Sequence, residues 1–464
     1  MTQPAAQDTL QLSELLGALS CALDMTEGQP PGHSMRSCWI GMHVGRQMGL
    51  DDAMLRELYY VLLLKDLGCS SNAAKLADFY GVDDLAFKRT FKTIGPRMTD
   101  AIDFLLGNAA KRLTPIARVQ ALVHIFRNAG RVARELIETR CHRGADIARR
   151  LRFSESVAEG IQHLDEHWDG GGLPEGLGGE AISLYGRIAL LAQAVDVFHT
   201  EAGREAALHE ARRRGGSWFD PRVVEGLERA AADEAFWTGL ASATLQDDLI
   251  ALEPVQTRLS LDDDWLDDIA AGFGEVIDAK SPYTSGHSTR VAGYAEALGE
   301  ALGVTSERRR WLRRAALLHD VGKLGVSSTI LEKPSQLATE EWAEMKGHAD
   351  KTQTILSRIG AFDELARVSA AHHEKLDGTG YPLGLRDTEI SLETRIITAC
   401  DFFDALTADR PYRAAMPTGK ALDVMRGELG RGVDPRVFAA LEHLVASRPD
   451  LMAAPTVACL AAVA

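Results

Sequence analysis

Between residues 287 and 401 the chain carries five histidines and two aspartates whose types and order suit a metal centre: His287, the pair His319-Asp320, His348, the pair His372-His373, and Asp401. Neutral imidazoles and carboxylates bind divalent transition metals, and the lack of cysteine among them argues against a structural zinc site. Seven ligands are too many for one ion but suit two, with water completing each shell. Asp320 is the candidate bridge, because a carboxylate offers one oxygen to each ion. Water held between two such ions loses a proton near neutral pH and becomes a nucleophile, while the ions clamp the oxygens of a phosphoryl group during in-line displacement. Lys323, one turn past His319-Asp320, is placed to neutralise a phosphate oxygen. Each residue alone has a plainer reading: an HD dipeptide is expected by chance in a chain this long, and Lys323 alone is a solvated lysine at a helix end. The inference rests on the combination.

The elements that position these residues occur twice. "HHEKLDGTGYP" (372–382) repeats the frame of "LDEHWDGGGLP" (164–174) without the leading histidines. Asp24, Gly32, His33, Ser34 and Arg36 match Asp278, Gly286, His287, Ser288 and Arg290 at a constant offset of 254, which also carries "LLLKDLG" onto "ALLHDVG". The offset then falls to 208 for the glycine-rich block, so the first copy holds 46 extra residues. These lie within about 72–140 and read as helical. A last block, "FDPRVVEGL" onto "VDPRVFAAL", keeps the same order. Four ordered blocks amount to a duplicated domain.

Helical spacing dominates both copies. Trp265, Ile269, Phe273 and Val276 or Ile277 mark one apolar face, and Val291, Ala295, Leu298 and Leu302 another. "ERRRWLRRAALLHD" reads as a third helix, stopped by Gly322, and "DGTGYPLGL" reads as loop. Abundant Ala and Leu with only 6% aromatics also favour helices. The expected organisation is an all-α fold of tandem domains: 1–250 with its insertion, a linker at 251–260, the metal-bearing copy at 261–446, and a tail at 447–464.

At 464 residues with a formal charge of −15, the chain is expected to avoid nucleic-acid polymers and anionic membranes, though a small anion can bind where a few cations converge. No apolar span reaches membrane length and the N-terminus lacks a basic, apolar leader. The six cysteines form no C-x-x-C pair, which fits buried thiols in a reducing cytoplasm.

The pattern H…HD…H…HHE…GYP…D, with "GHSTR", "LLHDVGK", "HHEKLDGTGYP" and "DFFDALTADRPYR", resembles the HD-GYP family of HD-type phosphohydrolases over about 260–445. The resemblance implies tandem HD-type helical domains, the first a degenerate copy, and a site of two or three iron or manganese ions. It also implies hydrolysis of cyclic di-GMP to linear pGpG, in some members on to GMP. It assigns the metals to His287, His319, Asp320, His348, His372, His373 and Asp401, with Asp320 and Lys323 as the catalytic pair. Lys323, Arg410 and Arg413 are assigned to substrate phosphates, Tyr381 to the loop beside the ligand, and Asp404 to the substrate site as a supporting residue. Members with a third metal carry a glutamate where this chain has Tyr283, so two divalent ions are expected. Ser281 replaces another acidic residue usual in the family.

The same positions in the first copy are depleted. His33 is kept, but His319-Asp320 becomes Lys65-Asp66, Lys323 becomes Cys69, His372-His373 becomes Leu164-Asp165, and Asp401 becomes Gln193. The His348 position falls near Arg140, beside Cys141 and His142. This copy is expected to bind no metal and to sense, dimerise or stabilise; a homodimer is a possible assembly. The functional alternatives are hydrolysis of another cyclic dinucleotide or nucleotide, and a non-catalytic cyclic di-GMP receptor or scaffold.

Overall fold

A computed structural model of the chain describes residues 10–92, 98–110, 114–254, 261–411 and 413–448. Among them the secondary structure is helical, with isolated bridges in place of strands. The chain divides into two compact units, the first ending at Asp268 and the second beginning at Ile269. Most of the expected linker (255–260) and nearly all of the expected tail (449–464) lie outside the described residues; residues 251 and 252 close the helix Leu245–Leu252. No helix among the described residues is long and apolar enough to cross a membrane.

In the second unit the expected apolar faces are buried: Ile269, Phe273 and Val276 on one helix, Val291, Ala295 and Leu298 on His287–Ala301. The third helix is shorter than its sequence suggests. Ser306–Leu318 stops before His319, and Gly322 lies in the 3-10 turn Val321–Gly325 that follows. Glycine is required there by close approach, since a Cβ at Gly322 would sit 2.0 Å from the His348 carbonyl oxygen. Its counterpart Gly68 approaches the Arg140 carbonyl in the same way, with a Cβ at 1.9 Å. This shared contact fixes the uncertain register: Arg140 occupies the place of His348.

The insertion forms the helices Ala73–Tyr80, Asp84–Phe91 and Met98–Asn108 and the first turns of the long helix Pro115–Arg150. It has its own apolar cluster, centred on Tyr80, Phe87, Ile125 and Leu136.

The two copies share their polar framework bond for bond. Asp278 accepts from the Ser288 hydroxyl at 2.7 Å, as Asp24 does from Ser34 at 2.6 Å. Glu374 accepts three backbone N–H groups of its glycine-rich loop, from Leu383, Gly384 and Leu385; Glu166 accepts those of Glu175, Gly176 and Leu177. A buried carboxylate saturated by three amides holds a loop without any metal, which explains why the Glu-Asp-Gly-Gly-Pro frame outlives the histidines.

Candidate metal centre

Five helices and turns bring the seven expected ligands together. His287 opens its helix behind Gly286, which takes a left-handed φ of 70°. His319 and Asp320 follow the end of Ser306–Leu318, and His372-His373 lies in the 3-10 turn Ala371–His373. His348 and Asp401 lie inside Thr339–Leu356 and Leu392–Thr407.

Two triads result. Donor atoms of His287, His319 and Asp401 lie within 4.8 Å of one another, as do those of His348, His372 and His373. Asp320 stands between them with its oxygens divided. Its Oδ2 is 3.5 Å from His287 Nε2 and 3.4 Å from His319 Nε2; its Oδ1 is 3.4 Å from His348 Nε2 and 3.6 Å from His372 Nε2.

Four of the five imidazoles are oriented from behind. The Nδ1 atoms of His319, His348 and His372 lie 2.6–2.7 Å from the carbonyls of Ala316, Met345 and Ser369, which leaves each Nε2 lone pair facing the centre. His287 is held by a carboxylate instead, with Nδ1 2.7 Å from Asp404. Among the described residues the buried Nε2 atoms of His287 and His319 and the Oδ1 of Asp320 have no hydrogen-bond partner. Buried lone pairs converging without partners are what metal ligation would satisfy, so these residues fit divalent ions.

Electrostatics point the same way. Burial pushes His348 down to about 4 and His373 to about 3, and burial with neighbouring His373 and His319 takes His372 well below the usual imidazole range. These rings stay neutral and free to ligate. Burial alone would depress His287 too, but contacts with Asp320, Asp401 and Asp404 raise it well above its ordinary value. Burial opposes ionisation of Asp320, yet His319 and Lys323 hold it well below the usual carboxylate range.

The residues expected to contact substrate divide. Lys323 Nζ is 2.5 Å from Asp320 Oδ2, and the Tyr381 ring lies 4.8 Å from that of His373, both at the centre. Arg410 makes no side-chain bond among the described residues. Arg413 is committed elsewhere: its guanidinium donates to the carbonyls of Ala405, Leu406 and Ala414, closing the end of Leu392–Thr407. Asp404 is 1% exposed with its oxygens bonded to His287 and Arg290, so it supports the site by orienting His287.

Lys346 escaped the sequence reading. Its Nζ stands 5.5 Å over the Tyr381 ring and 5.6 Å from Trp342, adding a cation at the rim. A Trp and Lys four residues apart, on the helix bearing His348, were the available signal.

In the first copy His33 keeps its carboxylate, with Nδ1 2.7 Å from Asp196. Four of the remaining ligand positions hold ion pairs, Lys65 with Asp66 and Arg140 with Asp165, and the other two hold Leu164 and Gln193. Burial opposes ionisation of Asp66, but Lys65 and Lys92 hold it down at about 2. Glu27, Asp66 and Cys69 do cluster within 4.8 Å. Lys65, Lys92 and Arg140 already supply positive charge there, and burial keeps the Cys69 thiol protonated, so the cluster suits a cation poorly.

The sequence matches the family model described as HD domain over 108–223 and 273–437. It is 52% identical over 445 residues to 3'3'-cGAMP-specific phosphodiesterase 3 of Vibrio cholerae serotype O1, covering 96% of this chain and 97% of that protein. A second relative, the cyclic di-GMP phosphodiesterase response regulator RpfG of Xanthomonas campestris pv. campestris, is 37% identical over 36% of this chain and 45% of its own length. The crystal structure of the V. cholerae cyclic GMP-AMP-specific phosphodiesterase V-cGAP3 superposes with a TM-score of 0.66 at 47% identity, covering 95% of this chain and 99% of that one. With both copies matched and a relative aligned nearly end to end, the chain belongs to the HD-domain family, in its HD-GYP branch.

Proposed function

We propose that this chain is a metal-dependent phosphodiesterase of cyclic dinucleotides, acting on 3'3'-cGAMP, with the reaction confined to the second copy. The observation that carries the chemistry is the division of Asp320 between two histidine-rich triads, which supports two divalent ions, iron or manganese. The substrate reading rests on the relative named for 3'3'-cGAMP, which spans both copies; the relative named for cyclic di-GMP covers about a third of the chain. Cyclic di-GMP, the substrate implied by the HD-GYP resemblance, becomes the comparison substrate.

When bound, such ions supply Lewis-acid polarisation of a phosphoryl oxygen and of a water. The chain's residues arrange the rest. Hydrolysis adds water across one ring P–O bond, and the departing sugar oxygen takes a proton. Lys323 is placed to hold a phosphate oxygen beside Asp320, and Lys346 adds positive charge above Tyr381. Asp404 and three backbone carbonyls keep the imidazoles in one tautomer, so little reorganisation is needed. Tyr283 in place of glutamate favours two ions over three.

The test is turnover of 3'3'-cGAMP and cyclic di-GMP by purified protein with Mn(II) or Fe(II), products resolved by chromatography. Faster loss of 3'3'-cGAMP, abolished by chelator, is expected. Faster loss of cyclic di-GMP would reverse the substrate assignment, and inertness toward every cyclic dinucleotide would overturn the function.

A further inference from the structure

The first copy, which has lost the metal ligands, contains a cavity of about 360 Å³ at the corresponding place, within the size range of small-molecule sites. Its walls come from the insertion, from the glycine-rich loop and from Leu184–Arg214. The second copy has no such insertion.

Three kinds of chemistry meet there. Aromatic rings face the space from two sides. Tyr80, Phe87 and Phe91 form a stacked ladder, with centroids 4.8 and 5.9 Å apart and interplanar angles of 23° and 13°. On the other side His167 stacks on Trp218 at 4.2 Å, with Arg214 4.0 Å from the Trp218 ring. Lys88, Lys92, Arg140 and Arg214 line the cavity with Glu27 and Asp165; Lys92 is paired with Glu27, Arg140 with Asp165 and Arg214 with Glu210, so the cations exceed the carboxylates by one. Finally, two buried amide oxygens, Gln193 Oε1 and Asn72 Oδ1, and the buried Arg140 Nε have no hydrogen-bond partner among the described residues. Gln193 and Asn72 are each 8% exposed. Buried polar atoms left open in a lined cavity point to a ligand that completes them.

We propose that the first copy is a binding site for a heteroaromatic anion of mononucleotide size. The ring slides between the aromatic walls, its N–H edge donates to Gln193 and Asn72, and its phosphate lies toward Lys92 and Arg140. A site rebuilt in this way turns a lost metal centre into a sensor for a nucleotide, from the cell's free pool or from the enzyme's own products.

Calorimetric titration of the full chain with AMP and GMP, in excess chelator so that the second copy holds no metal, tests this without reference to turnover. One equivalent of AMP or GMP is expected to bind. Phe91→Ala and Lys92→Ala should each weaken it at least tenfold, and Lys323→Ala in the second copy should leave it unchanged. Phe91 is 53% exposed, so its variant can be made without emptying the core. Adenosine, guanosine and inorganic phosphate should each bind more weakly than the intact nucleotide. No binding at millimolar AMP or GMP would overturn the proposal. So would binding that Lys323→Ala abolishes, or that neither first-copy variant weakens. Inorganic phosphate binding as tightly as GMP would overturn it too, because the rings would then contribute nothing.

Discussion

The two copies differ less in fold than in how they neutralise the one buried carboxylate they share at this place, Asp320 in the second and Asp66 in the first. In the second, Asp320 lies among imidazoles whose lone pairs are unfilled; in the first, Asp66 is closed by Lys65, and Asp165 by Arg140. The behind-the-scenes bonds are unchanged: His287–Asp404–Arg290 has its twin in His33–Asp196–Arg36, with matching distances. The comparison teaches that the HD scaffold is stabilised by its carboxylate–amide and carboxylate–arginine bonds, and that the metal chemistry sits on top of it. A lysine can replace an ion's charge at that place but cannot bind a water and lower its pKa as a metal ion does.

Several substitutions would break or sharpen this contrast. The largest effect is expected from Asp320→Ala, which removes the carboxylate shared by both triads: hydrolysis should fall to background while circular dichroism stays native. Near-normal hydrolysis by this variant would remove Asp320 from its role. In the first copy, Lys65→Ala leaves Asp66 buried without its partner, a change that typically costs about 3–5 kcal/mol. Thermal denaturation should show that loss in the first unit, with the rate per folded molecule maintained. Unchanged stability would mean the ion pair does not substitute for metal charge.

Lys323→Ala should keep its metal and lose roughly a hundredfold in rate, about 3 kcal/mol, as for other preorganised charge contacts. Asp404→Asn frees the His287 ring, and disturbing such an orienting group typically costs about 10- to 100-fold in metal affinity or activity. Metal titration followed by rate measurement at saturating metal would separate the two contributions. The smallest effect concerns product. Tyr283 provides no carboxylate for a third ion, so the linear dinucleotide should accumulate and mononucleotides appear slowly. Tyr283→Glu should raise metal content or quicken the second cleavage; rapid mononucleotide release by the unmodified protein, with no linear intermediate, would contradict this.

The seven candidate ligands, which the fold gathers at one place, and the duplication were legible because both depend on residue type and spacing, which a sequence displays directly. The retained frame was legible as turns, but not the buried Glu374 and Glu166 that saturate three amides each, since nothing local marks an acceptor for N–H groups nine to eleven residues away. Arg413 illustrates another gap: an arginine in this motif reads as a substrate contact, and nothing local marks the three carbonyls to which its guanidinium donates. The Arg140–His348 equivalence needed three dimensions, because the contact that fixes it joins residues far apart in sequence. The cavity of the first copy was likewise beyond reach: its rings and cations converge only after the insertion folds back over the glycine-rich loop.

Metal content of the intact chain tests the contrast most directly. Protein loaded with Mn(II) or Fe(II), desalted and assayed by mass spectrometry should retain two ions per chain. A variant carrying His319→Ala, Asp320→Ala and His372→Ala, with the first copy untouched, should retain none. An ion held stoichiometrically by that variant would place metal in the first copy and contradict the division of labour between the two.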